Sequence, residues 1–169
     1  KHSENGIIYD SEMVSNGYLF DKEIIKKAIR LWKLNLIQIT LDGTEDVYNR
    51  TKAYIYKNVE SPFKRVINNI TMLLNAGIFV KIRLNMDIYN CDDLRQLAVF
   101  LLDTFKEYNN FYIYISLLFD KTGKSGTFRS ISDKDKLNQK CLEIERIMDE
   151  YGKLRKYDLS LYRSITQCM

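Results

Sequence analysis

A lone histidine, His2, and three cysteines that form no CxxC pair leave this 169-residue sequence without the ligands of a self-contained metal site. Cys91, Cys141 and Cys168 are widely separated and odd in number. That argues against a disulfide scaffold and fits free thiols in a reducing cytosol, so a cytoplasmic location is expected. No apolar run approaches membrane-spanning length, and the mixed, polar stretch from Lys1 to Asp10 does not read as a signal peptide. There is no dense Lys/Arg block. The formal charge of +4 comes from basic residues spread among acidic ones, so nucleic-acid binding is not indicated. No internal repeat suggests a solenoid, and no linker splits the chain. What is present suits one globular domain with one core: 46% of residues are apolar and 28% charged. The chain begins at Lys1 and stops directly after Cys168, and neither end has the composition of a natural tail, so a segment of a longer protein is expected.

The order of elements is legible. A short strand follows Tyr9 and stops at Ser15-Asn16-Gly17, where Asn-Gly tolerates positive φ. Asp21 is placed to cap a helix in which Ile24, Ile25, Ala28, Ile29 and Trp32 recur at helical spacing. Leu36 to Leu41 is a β-rich run ending at Asp42-Gly43, and a long connection is expected from Thr44 to Glu60. Ser61-Pro62 then opens a second helix, with Ser as N-cap and Pro at the first helical position, and Gly77 closes it. A third strand is read over Ile78 to Leu84, a third helix from about Cys91 to Tyr108, and a fourth strand over Phe111 to Phe119. A Gly/Ser/Lys loop spans Lys121 to Ser130. Ser132 is read as the cap of a last helix that Gly152 closes, and Lys153 to Met169 lacks a clear period.

Strand and helix thus alternate four times, which predicts an α/β fold with a parallel sheet and right-handed crossovers. Four βα units cannot close an eight-stranded barrel. They make either an open α/β sandwich or an arc of a larger barrel. An arc would leave edge strands unpaired, through which a second copy could associate.

In parallel α/β folds ligands bind beyond the carboxyl ends of the strands. There the sequence places Asn16 and Gly17 after the first strand, then Asp42, Gly43 and, across the loop, Arg50 after the second. Asn85, Asp87, Asn90 and Cys91 follow the third, and Asp120 the fourth. This is the pattern of a rim that holds a polar ligand. Asn, Asp and Gly also make turns on their own account, so spacing alone leaves both readings open.

Taken in order, these segments resemble a known family. Ser15-Asn16-Gly17 with Leu19 resembles the "TNG-x-L" strand end of radical S-adenosylmethionine (SAM) enzymes. Ile37-Gln38-Ile39-Thr40-Leu41-Asp42-Gly43 and Tyr48-Asn49-Arg50 resemble their "ISLDG…H-x-x-R" segment. Phe63-Lys64-Arg65-Val66 with Asn69 resembles the "F-x-x-V…N" helix. Val80-Lys81-Ile82-Arg83-Leu84-Asn85, with Asp87 and Asn90, resembles the "V-x-I-R-x-N-x-D-x-x-N" strand. The set covers about the first two-thirds of the chain. It looks most like the SPASM-bearing branch, which includes anaerobic sulfatase maturases and peptide-modifying maturases. Ser164 to Met169 looks like the approach to that branch's first auxiliary-cluster cysteine, which would be Cys168.

The resemblance implies a partial (β/α)6, TIM-like barrel over residues 1–152 and a tail over 153–169 leading toward a SPASM-type domain. It implies a [4Fe-4S] cluster held by a CxxxCxxC loop, reductive cleavage of SAM there, and hydrogen abstraction from a peptide or protein substrate by an oxidoreductase or maturase. By motif, Thr40 stands where a Ser commonly contacts SAM, and Arg50 where a basic residue pairs with the SAM carboxylate. Asn85 stands as a ribose or carboxylate partner, Asn16 on the same rim, and Leu117 or Leu118 against the adenine. The departures are equally definite. There is no CxxxCxxC and no GGEP-like strand, both of which would lie upstream of Lys1. Tyr48 stands in the usual His position and Thr44 in that of Pro. The isolated chain is therefore expected to be inactive, with neither cofactor tightly bound.

The same residues admit other readings. The chain could be an α/β protein-binding module that echoes the barrel pattern without catalysis. Asp120-Lys121-Thr122-Gly123 resembles the aspartyl nucleophile of haloacid-dehalogenase-type phosphatases, but that motif normally sits on a first strand, and here one helix follows it. Gly123-Lys124-Ser125 lacks the glycine a P-loop needs, since Leu118 stands in its place. Cys91 at a helix start could have a reactive thiol; a small residue tolerated there is the simpler reading.

Overall fold

The computed structural model describes residues 9–52, 61–118 and 131–153. Strands β1 (Ser11–Ser15), β2 (Leu34–Leu41), β3 (Phe79–Met86) and β4 (Phe111–Leu117) form one sheet in the order β1-β2-β3-β4, every pair parallel. Helices α1 (Lys22–Lys27), α2 (Glu45–Lys52), α3 (Pro62–Asn75) and α4 (Cys91–Phe105) lie between them, and α5 (Ile131–Glu150) follows β4. The α/β architecture of consecutive βα units is thus present.

The helix starts follow from the residues that precede them. Asp21 Oδ1 accepts from Ile24 N at 2.7 Å, and Ser61 Oγ accepts from Lys64 N ahead of Pro62. Each side chain satisfies a backbone donor that has no partner inside the helix. Gly77 follows α3 at φ +81, a left-handed conformation that glycine adopts without Cβ strain.

Three expectations change. The connection after Gly43 is not wholly irregular, because Glu45–Lys52 forms α2. Its one fully buried anchor is Tyr48, so it lacks the apolar stripe that marks a helix in sequence. The first helix widens into a π-helical turn over Ala28–Trp32 before Lys33 turns left-handed at φ 54. That wider turn rotates the later positions outward, and Ile29 and Trp32 are both exposed. Helix α5 already includes Ser132, which therefore does not precede it as a cap.

Side chains along the strands alternate in burial. Ile37, Ile39 and Leu41 on β2, with Val80, Ile82, Leu84 and Met86 on β3, are all fully buried. They form one core with Val66, Ile70 and Leu73 of α3 and Leu94, Leu97, Leu101 and Leu102 of α4. The residues between them, Gln38, Thr40, Lys81, Arg83 and Asn85, are half-buried and polar. A sheet sandwiched between two helix layers would be apolar on both faces. This alternation gives one helix-covered face and one polar face, the signature of a barrel wall and not of a sandwich.

Candidate functional site

The polar face is organised in rungs by the strand register. Gln38, Lys81 and Tyr112 lie side by side on β2, β3 and β4; Thr40, Arg83 and Tyr114 form the next rung; Asn85 and Ser116 lie beyond them at the strand ends. Within this array Tyr114 Oη donates to Gln38 Oε1 at 2.8 Å, and an Arg83 guanidinium N–H donates to Ser116 Oγ at 2.8 Å. Lys81 Nζ rests over the rings of Tyr112 and Tyr114, at 5.3 and 4.3 Å from their centroids.

At the carboxyl ends Asp42 organises the rim. Its Oδ1 accepts from Asn85 Nδ2 at 3.0 Å and its Oδ2 meets Lys52 Nζ at 2.6 Å. A carboxylate can only accept, so the Asn85 amide must turn its nitrogen to Asp42 and its oxygen away. That oxygen, Asn85 Oδ1, is buried and has no hydrogen-bond partner among the described residues; Arg83 Nε is in the same condition. Buried polar atoms without partners are uncommon, and two on one strand, two residues apart and on one face, make this stretch of β3 the candidate site.

The other rim residues separate into turn-makers and bystanders. Asn16 is exposed, and its Oδ1 accepts from Tyr18 N at 3.1 Å, a local turn. Asp87 Oδ1 accepts from the backbone of Tyr89 and Asn90, and Asn90 Nδ2 donates to the Asn85 carbonyl at 2.8 Å. Both shape the entry to α4. Cys91 is buried at the start of α4, and Cys141 Sγ meets Met86 Sδ at 3.6 Å. Both thiols belong to the helix-covered side. Leu117 packs against that core, while Leu118 follows the strand end and is 38% exposed.

Arg50 is exposed on α2. Lys52, two positions on, is the basic residue that reaches the rim through Asp42. Residues two apart on a helix project to different sides, so Arg50 does not share that approach. Tyr48 is fully buried and packs edge-on against Phe63, with centroids 5.7 Å apart. Asp120 and Cys168 lie outside the described residues, as do the loop over 121–130 and the tail over 154–169. Sequence reasoning missed Lys52, Lys81, Arg83, Tyr114 and Ser116. The signal was the strict alternation of Val80-Lys81-Ile82-Arg83-Leu84-Asn85, which places three polar side chains on one face.

Among the described residues no group of three or more His, Cys, Asp or Glu side chains could hold a metal ion, and no helix is long and apolar enough to cross a membrane.

No family model matches the chain, and no curated protein does. Solved structures do. Native anSMEcpe, an anaerobic sulfatase maturase of the radical SAM class, with bound AdoMet and Kp18Cys peptide, superposes with a TM-score of 0.63 at 14% identity, over 90% of this chain and 41% of that one. The histidine-tagged form of anSMEcpe with bound AdoMet gives 0.59 at 14% identity, over 85% and 38%; native anSMEcpe with bound AdoMet gives 0.58 at 14%, over 85% and 38%. The chain spans about two-fifths of the length of these proteins. The likeness shows the fold: four parallel βα units arranged as in the radical SAM structures.

Proposed function

We propose that this chain forms part of the barrel wall of a radical SAM enzyme and contributes the rim that holds the nucleoside and amino-acid portions of SAM. One observation carries the reading: Asn85 Oδ1, a buried acceptor with no partner among the described residues, stands at the carboxyl end of β3 on the polar face. The fold likeness to AdoMet-bound structures supports it.

The residues fit SAM and do not fit the cluster. The Asn85 oxygen and the Thr40 hydroxyl, on the same face, suit the hydroxyls and ammonium of SAM. Among the described residues no thiolate set could hold a [4Fe-4S] cluster. SAM bound at a reduced cluster supplies hydrogen-atom abstraction. This chain's own residues bind and orient. Lys52 neutralises Asp42, Asp42 fixes the amide of Asn85, and Asn85 presents a pre-aimed acceptor that costs little reorganisation on binding. By analogy with the peptide-bound neighbour, the substrate is a peptide or protein side chain.

The test is reductive SAM cleavage by the full-length protein after anaerobic cluster reconstitution, followed as 5′-deoxyadenosine released. The wild type forms it. Asn85→Ala, with the cluster still loaded, forms it with a KM for SAM raised about tenfold, the loss of one good hydrogen bond to a charged or oriented donor. A cluster-loaded wild type that leaves SAM intact under reducing conditions removes the proposal.

A further inference from the structure

We propose that Arg83 anchors an anion subsite on the polar face, which takes a carboxylate of the substrate and not that of SAM. This rests on the reading of that face as the reaction chamber.

Arg83 sits in the middle of β3, between Ile82 and Leu84, which are both fully buried on the helix side. Its guanidinium therefore projects onto the polar face. A guanidinium carries five N–H donors and a permanent charge. Among the described residues its hydrogen bonding comes to a single bond, to the neutral Ser116 hydroxyl, and its Nε is buried without a partner. Burying part of a cation against a neutral partner is costly, and an anion paired with the guanidinium would offset that cost.

Positive charge gathers at Arg83 and Lys81, and the one carboxylate lining the recess beyond them, Glu12, stands on β1. Lys81 lies two residues before Arg83 on the same face, held over the rings of Tyr112 and Tyr114. Asp42, the carboxylate at the rim, is already engaged by Lys52 and Asn85. Tyr114, fixed by its bond to Gln38, stands beside Arg83 in the same rung. The planar fork of arginine matches a carboxylate in two parallel hydrogen bonds, which selects an Asp or Glu side chain or a peptide C-terminus over a neutral amide.

Position assigns the carboxylate to the substrate. Arg83 lies two residues deeper along β3 than Asn85, a displacement of about 7 Å away from the rim. Deeper still, a recess of about 260 Å³ opens on the same face, lined by Glu12, Gln38, Lys81 and Tyr112 among others. A peptide entering from that end meets Arg83 without crossing the rim.

The test uses the full chain and needs no cluster, so it reads independently of SAM cleavage. The Arg83 Nε–H resonance, assigned from the signal missing in Arg83→Lys, is followed by NMR while the short peptide Ac-Gly-Glu-Gly-NH2 is added. Its amide twin, Ac-Gly-Gln-Gly-NH2, is added in parallel, and SAM in a third series. The expected result is a saturable shift with the Glu peptide, about tenfold weaker binding of the Gln peptide, and no displacement by SAM. An equal response to both peptides, or no response of Nε to the Glu peptide, overturns the subsite. A response to SAM that excludes the Glu peptide also overturns it, because the carboxylate would then be the cofactor's. The comparison of the two peptides on the wild type stands even where a variant folds poorly.

Discussion

The Asn69 amide and the Gly17 carbonyl meet at 2.8 Å across a separation of 52 residues, and the same Nδ2 reaches the Tyr18 carbonyl at 3.1 Å. Asn69 is the buried polar residue of α3, 4% exposed. It ties that helix to the turn that ends β1. Gly17 itself has φ +74, and a Cβ there would come to 3.0 Å from Ile39 Cδ1, so the turn has little freedom to rearrange. Replacing Asn69 by Ala leaves the Gly17 carbonyl buried and unpaired. The expected loss is about 2 kcal/mol, read as a lower urea midpoint with an unchanged slope. A midpoint equal to the wild type would show that the link contributes nothing.

Gly43 closes β2 onto α2, and a Cβ there would lie 2.5 Å from both Asp93 Oδ2 and Val47 Cγ1. Asp93 cannot yield freely, because it accepts from Thr44 N at 2.8 Å and from Thr44 Oγ1 at 2.6 Å. Gly43→Ala should therefore cost about 1–3 kcal/mol, measured by thermal unfolding, and release the start of α2 from α4. Unchanged unfolding would mean that this approach is looser than the distances imply.

Burial, with smaller effects from Glu145 and Cys91, pushes the Cys141 thiol up to about 12. The folded chain keeps this proton to higher pH than the unfolded chain does. The contribution to stability is therefore complete below about pH 8.5 and declines as pH rises toward 12, by up to about 1.4 kcal/mol per pH unit. Urea midpoints measured between pH 8 and pH 11 should fall less steeply in Cys141→Ala than in the wild type. At neutral pH, a thiol reagent should modify Cys141 only after unfolding; rapid modification of the native chain would contradict the burial.

The 169-residue chain alone, reconstituted anaerobically with iron and sulfide, should form no 5′-deoxyadenosine from SAM. Cys91 and Cys141 are buried on the helix side of the sheet, away from the polar rim. A brown, SAM-cleaving preparation of this chain would show that a cluster site exists within it.

Much of this fold is written locally. Asp21 and Ser61 announce their helices because capping is a matter of one side chain and one backbone donor. The strands show as β-branched runs, and their alternation with helices leads to a parallel sheet. Helix α2 was hidden because Tyr48 alone is fully buried on it, and its start is held by Asp93, which lies 49 residues from Thr44. The site was legible in part. Asn85 and Asp42 stood out as strand-end residues, yet only tertiary structure shows that they pair and that Asp87 and Asn90 are occupied with turns. Arg83 could have been read from the period-two pattern of β3, but the burial of its Nε without a partner among the described residues is a property of the assembled sheet.

The most direct measurement is the structure of the full-length, cluster-loaded protein with SAM. The account predicts SAM across the carboxyl ends of β2 and β3, with Asn85 Oδ1 within about 3 Å of a SAM donor. SAM bound on the helix-covered side, or at the rim with Asn85 Oδ1 still unpaired, would contradict it.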